Sequence, residues 1–154
     1  MNSNDKILIL DFGSQYTQLI ARRVREIGVF SEVKPSSIST EEIIKMNPSG
    51  IILSGGPETV TISSSQKVHK SLLEAKIPIL GICYGMQTIA KELGGSVVNS
   101  DVREFGHAEI SHVNKSVLFD SVNFDSNNLD VWMSHGDKVD KIPENFEIIA
   151  SSKD

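Results

Sequence analysis

Cysteine is almost absent from this sequence: 154 residues contain one, Cys83. A single thiol cannot close an internal disulfide, so it is either a small buried hydrophobe or a reactive group. No apolar run approaches the roughly 20 residues that cross a bilayer. No run of lysine or arginine occurs, and the net charge of -5 argues against a nucleic-acid or anionic-membrane surface. The four histidines, His69, His107, His112 and His135, lack metal-ligand spacing, so no metal is expected. There are no internal repeats, low-complexity tracts or interdomain linkers. No signal peptide is expected, because the polar start Met1 to Lys6 runs straight into a strand. These absences read as one cytoplasmic domain over 1–154, with 39% hydrophobic and 23% charged residues, ordinary for a globular chain with one core.

What is present alternates. Lys6 to Asp11 is a short apolar run, the mark of a strand covered on both faces. Leu19, Ile20, Val24 and Ile27 then recur at helical spacing, with Gly28 as a C-cap. Ser31 to Pro35 is a second strand, and Thr40 to Ile44 starts a short helix capped by Ser39 or Thr40. Gly50 to Ser54 is another buried strand, Gln66 to Ala75 a helix, Ile77 to Ile82 a strand and Tyr84 to Leu93 a helix closed by Gly94-Gly95. This alternation predicts an α/β domain: a flavodoxin-like three-layer sandwich around a mostly parallel sheet.

After Leu93 no helix of any length is expected. Ser96 to Asn99, Val102 to Phe105, Ala108 to His112, Leu129 to Met133 and Phe146 to Ser151 read as short strands, predicting a small antiparallel section. Asn114 to Asn128 reads as a polar connection.

The chemistry centres on Gly81-Ile82-Cys83-Tyr84-Gly85-Met86-Gln87. Glycines two before and two after the cysteine permit a tight strand-to-helix turn, the nucleophile elbow, with sulfur in place of serine oxygen. The turn puts the sulfur at a helix N-terminus, which favours thiolate over thiol. Acyl chemistry also needs donors for a developing oxyanion. The N–H of Tyr84 is one, and a glycine of Ser54-Gly55-Gly56-Pro57 the other, Gly56 being preferred over Gly55.

Those two segments resemble the class I (triad) glutamine amidotransferases. The resemblance implies that Cys83 attacks the side-chain amide of glutamine, that Gly56 and Tyr84 form the oxyanion hole, and that Gln87 contacts the substrate. Asp11 to Arg23, Arg103-Glu104-Phe105-Gly106 and Val131 to Asp137 are similar to one branch of that family. From that likeness Ser134, Gly136 and Asp137 face the glutamine, a carboxylate suiting its ammonium group. The branch uses the ammonia to aminate XMP to GMP in an ATP-pyrophosphatase synthetase domain, in cis or in trans. ATP and Mg²⁺ are implied for that domain and no cofactor for this one; a homodimer of the complete enzyme is left open. Asp11-Phe12-Gly13 is not a kinase metal triplet, since no glycine-rich loop, strand lysine or catalytic loop accompanies it.

In this family the base and its orienting glutamate lie in a His-Pro-Glu motif, which the sequence lacks. His135 falls instead in the substrate-holding segment. The expectation is a domain incomplete at its C-terminus, without its closing strands, with little or no glutaminase turnover and an exposed sheet edge that favours aggregation. The rival readings are another amidotransferase or cysteine hydrolase of the same fold, and a non-catalytic module that lacks the base.

Overall fold

The computed structural model describes residues 5–61, 65–112, 114–122 and 128–152, with backbone alone at 100–105, 112, 134 and 135. Strand β1 (Lys6–Asp11) has Leu8, Ile9 and Leu10 buried, as expected of an apolar run covered on both faces. It pairs in parallel with β2 (Phe30–Pro35) on one side and β3 (Gly50–Leu53) on the other, and β3 pairs in parallel with β4 (Ile79–Gly81). The resulting order is β2-β1-β3-β4. Parallel neighbours need crossovers. These contain α1 (Thr17–Glu26), α2 (Thr40–Met46) and α3 (Lys70–Leu73), while α4 (Tyr84–Glu92) follows β4.

Strand alternation sorts the layers. Leu8 and Leu10 of β1 and Ile51 and Leu53 of β3 form one core with Ile43 of α2, Leu72 of α3, and Tyr84 and Ile89 of α4. Ile9 points to the opposite face, where α1 lies against β1 and β2. There the buried Ser31 of β2 donates its hydroxyl to the Ala21 carbonyl at 2.9 Å.

Local chemistry sets several ends. Ser39 caps α2 through a capping box with Glu42, so the cap falls on Ser39 rather than Thr40. The Asp11 carboxylate accepts from the Gly13 N–H at 2.9 Å and the Thr17 hydroxyl at 2.7 Å, tying the end of β1 to the start of α1.

The sequence reading is corrected in three places. In α1 the buried residues are Thr17 and Ala21, while Leu19 is 45% and Ile27 68% exposed. The Ser31–Ala21 bond brings this helix close to the sheet, where small side chains fit. The helix expected over Gln66 to Ala75 shrinks to α3, because α4 satisfies the preceding backbone: Thr88 Oγ1 accepts from the Val68 N–H at 3.3 Å, and the Tyr84 hydroxyl donates to the Gln66 carbonyl.

The third correction concerns the second half. The three short strands expected between Ser96 and His112 are one strand, β5 (Ser96–His112), irregular in register between Asn99 and Glu104. It pairs antiparallel with β6 (Asn128–Lys141), much longer than the expected Leu129 to Met133, and with β7 (Ala150–Ser152). The sheet order β6-β5-β7 puts β7 at an edge, although Phe146 to Ser151 reads as a mid-sheet strand. As expected, no helix follows Glu92 among the described residues. No helix there is long and apolar enough to cross a membrane.

Candidate active site

Cys83 is the N-cap of α4, at φ 49° and ψ −111°, a backbone conformation that L-residues rarely adopt. Four hydrogen bonds hold the turn. The Ile82 N–H donates to the Leu53 carbonyl at 3.0 Å, and the Gln87 N–H to the Cys83 carbonyl at 3.0 Å. The Gly85 N–H donates to the carbonyls of Ser54 at 3.1 Å and Ile82 at 2.9 Å. The flanking glycines are needed for space. A Cβ on Gly81 would lie 2.6 Å from the Met86 nitrogen, and one on Gly85 would lie 2.6 Å from the Leu53 Cβ.

Facing this elbow are the loops that follow β1 and β3. A Cβ built on Gly55 would sit 3.6 Å from the Cys83 Cβ and 3.6 Å from the Ser14 Oγ, so Gly55 directly adjoins the cysteine. At Gly56 it would approach the Phe12 carbonyl oxygen to 2.7 Å and the Tyr84 ring to 3.4 Å, so Gly56 adjoins Tyr84. The Tyr84 and Phe12 rings pack at a 5.4 Å centroid distance beneath them. Among the described residues, the N–H groups of Gly56 and Tyr84 have no backbone acceptor. Donors left unpaired beside a thiol suit an incoming oxyanion. A cleft of about 280 Å³ opens here, lined by Gly13, Ser14, Tyr16, Gly55, Gly56 and Cys83. A larger open cleft of about 1070 Å³ also touches Gly13 and is lined by Lys34, Ser36 and Lys67 among others.

The thiol is half-buried, and burial pushes its pKa up. The helix N-terminus acts the other way, favouring the thiolate. No described side chain ionises Cys83 by contact. His69 starts α3, and His107 pairs with Asp130 at 2.8 Å. Alkylation of Cys83 by iodoacetamide is expected to be slow at pH 7. It should keep rising as pH passes the ordinary thiol range, because only thiolate attacks. A rate already at its plateau near pH 7, followed by mass spectrometry, would show the sulfur ionised by other means.

The structure brings Cys83, Gly56 and Tyr84 together, and of these Cys83 and Gly56 line the small cleft, whereas Gln87, Gly136 and Asp137 do not. Gln87 is 4% exposed, and its side-chain amide donates to the Asp137 backbone carbonyl at 3.0 Å, joining α4 to β6. Asp137 is 8% exposed and pairs with Asn99 across the sheet, beside the register irregularity where Gly136 also falls. The Ser134 side chain lies outside the described set; its backbone pairs with Phe105. Sequence reasoning missed Ser14 as a lining residue, and it assigned Ser54 no role. The only signal for Ser54 was a serine where an apolar strand runs into a glycine pair.

Comparison with known proteins identifies the family. The chain is 55% identical over 152 residues to the glutamine-hydrolyzing GMP synthase of Pseudomonas entomophila, covering 96% of this chain and 29% of that protein. It is 54% identical over 154 residues to the glutamine-hydrolyzing GMP synthase of Teredinibacter turnerae, covering 97% and 29%. The chain thus spans under a third of the length of these relatives. Among solved structures, a candidate GMP synthase subunit from Thermoplasma acidophilum matches with TM-score 0.80 at 30% identity, covering 97% of this chain and 73% of that one. A glutamine amidotransferase from Thermotoga maritima shares the fold, with TM-score 0.69 at 22% identity over 97% of this chain and 67% of that one. The family profile described as glutamine amidotransferase class-I matches residues 8–154, and the chain belongs to that family.

Proposed function

We propose that this chain is a glutaminase domain whose ammonia serves the amination of XMP to GMP. The observation that carries the chemistry is Cys83 at a strained elbow, beside two N–H groups that have no backbone acceptor. In this reading the sulfur attacks the side-chain amide carbon of glutamine. The S–C bond forms, and the carbonyl π pair moves onto oxygen, where the Gly56 and Tyr84 N–H groups receive it. When the carbonyl re-forms, the amide nitrogen takes a proton and leaves as ammonia. Water then adds to the thioester, the C–S bond breaks, glutamate departs and the thiol returns. The net reaction is glutamine plus water to glutamate plus ammonia.

Because burial raises the thiol pKa, a base must take the sulfur proton as the bond forms. The family's His-Pro-Glu histidine has that role. Asp137 suits the α-ammonium of glutamine, being nearly buried with no carboxylate partner among the described residues. Gln87, Ser134 and Gly136 belong to the same substrate-holding side. The relatives named GMP synthase support GMP synthesis as the ammonia's destination; the family resemblance implies an ATP-pyrophosphatase synthetase domain using ATP and Mg²⁺ for that step.

A glutamine analogue with a chloroketone in place of the amide is expected to alkylate Cys83, and glutamine to protect it. Asp137→Asn is expected to raise the glutamine concentration needed for protection about tenfold or more, the worth of one charge-assisted hydrogen bond. Labelling at Cys83 that glutamine cannot slow would defeat the proposal.

A further inference from the structure

We infer that Ser54 is a positioning residue: its hydroxyl aims the Gly56 N–H into the Cys83 cleft. This rests on the glutaminase reading, in which that N–H receives the oxyanion. Ser54 follows β3 and is fully buried, at 0% exposure. A hydroxyl has one proton to give and lone pairs to accept with. Here the proton goes to the Gly55 carbonyl at 2.9 Å, and the oxygen accepts from the Phe12 N–H at 3.0 Å. The backbone is also engaged: the Ser54 N–H donates to the Leu10 carbonyl at 3.0 Å, and its carbonyl accepts from the Gly85 N–H at 3.1 Å. One residue thereby joins the end of β1, the glycine loop and the first turn of α4.

The geometry of a single peptide gives this network its consequence. The Gly55 carbonyl and the Gly56 N–H belong to one planar trans unit and point in opposite directions. Holding the carbonyl oxygen therefore sets the direction of the N–H. The plane lies between two glycines, the residues least able to resist rotation about their own dihedrals. Were it to flip, a carbonyl oxygen would face the cleft, and it would repel negative charge rather than receive it. The Phe12 bond restrains the other wall, since the Phe12 carbonyl stands 2.7 Å from where a Gly56 Cβ would be. The Ser54 hydroxyl thus holds both the peptide to be aimed and the strand end against which it rests.

The test separates a flat ligand from a tetrahedral one. Glutamate γ-semialdehyde, in its open-chain form, adds the Cys83 thiol reversibly: the S–C bond forms and the thiol proton passes to the former carbonyl oxygen. That oxygen then lies where the oxyanion would form. Glutamine itself binds as a planar amide. Ser54→Ala is expected to raise the aldehyde concentration that half-protects Cys83 from iodoacetamide about tenfold, a fraction of the effect of deleting an oxyanion donor. Half-protection by glutamine, and the unprotected alkylation rate, should change less than about twofold, since the flat ligand does not use the aimed donor.

Ser54→Cys keeps the shape with a weaker donor and should fall between the two. If Ser54→Ala loses the fold by circular dichroism, Ser54→Cys carries the same comparison. Equal weakening of both ligands, or of neither, in a folded variant would overturn the assignment. Loss of fold in both variants would also overturn it, by giving the hydroxyl to folding. If neither glutamine nor the aldehyde protects the unaltered chain, the glutaminase reading fails instead.

Discussion

Glycine at position 83 is expected to give a more stable protein than alanine there, and neither is expected to release ammonia from glutamine. At an ordinary site the stability order is the reverse, because glycine loses more chain entropy on folding, about 0.5–1 kcal/mol relative to alanine. Cys83 is not an ordinary site. At φ 49° and ψ −111° any side chain strains the backbone, by roughly 1–3 kcal/mol. Cys83→Gly removes that strain and Cys83→Ala keeps it, so the glycine variant should lead by about 1 kcal/mol, the difference of the two terms. Denaturant midpoints of the two variants decide the sign, and an alanine variant as stable as glycine would mean the turn relaxes.

The chemical loss should be far larger. Without a nucleophile no thioester forms, and ammonia release, assayed in a preparation that supplies the base, should fall at least about 10⁴-fold. Persistent release from Cys83→Ala would identify a different nucleophile. With release lost in both variants, the same residue is costly to the fold and necessary to the reaction, the usual conflict at an active site.

The elbow and the parallel sheet were legible in the sequence because both are written locally. An apolar run such as Lys6 to Asp11 announces a doubly covered strand, and glycines at 81 and 85 announce a turn with no room for side chains. What escaped was set by partners distant in sequence. The segment before α3 carries helical periodicity, yet Thr88 and Tyr84 take its backbone groups, and it stays extended. In α1 the hydrophobic stripe suggested one inner face, while the close contact at Ala21 and Ser31 selected another. The long pairing of β5 with β6 depends on register, which short stretches of sequence do not reveal. The site divides in the same way. Cys83, Gly56 and Tyr84 follow from motifs, whereas the Ser54 network and the Gln87 bond to Asp137 are tertiary.

Gly85→Ala is expected to cost about 3 kcal/mol, although alanine is the better helix former by about 0.8–1 kcal/mol and position 85 lies in a helix. The added methyl has nowhere to go. Its carbon would stand 2.6 Å from the Leu53 Cβ and 2.8 Å from the Leu53 carbonyl carbon, with the Leu53 oxygen nearer still. Leu53 is fully buried in β3, so it cannot swing aside as a surface side chain would. Relief requires α4 to lift from β3, and the Gly85 N–H to part from the Ser54 carbonyl. That movement displaces the Tyr84 N–H relative to Gly56, so Cys83 should also lose its protection by glutamate γ-semialdehyde, whose tetrahedral adduct uses both donors, even in the fraction that stays folded.

Gly28 supplies the control. Its φ is +82°, but nothing lies within 4 Å of where its Cβ would be, so Gly28→Ala meets backbone strain alone and should cost about 1–2 kcal/mol. The ratio of the two losses by urea denaturation distinguishes collision from strain. A Gly85→Ala protein no less stable than Gly28→Ala would mean that α4 does not rest on β3 as closely as the elbow demands.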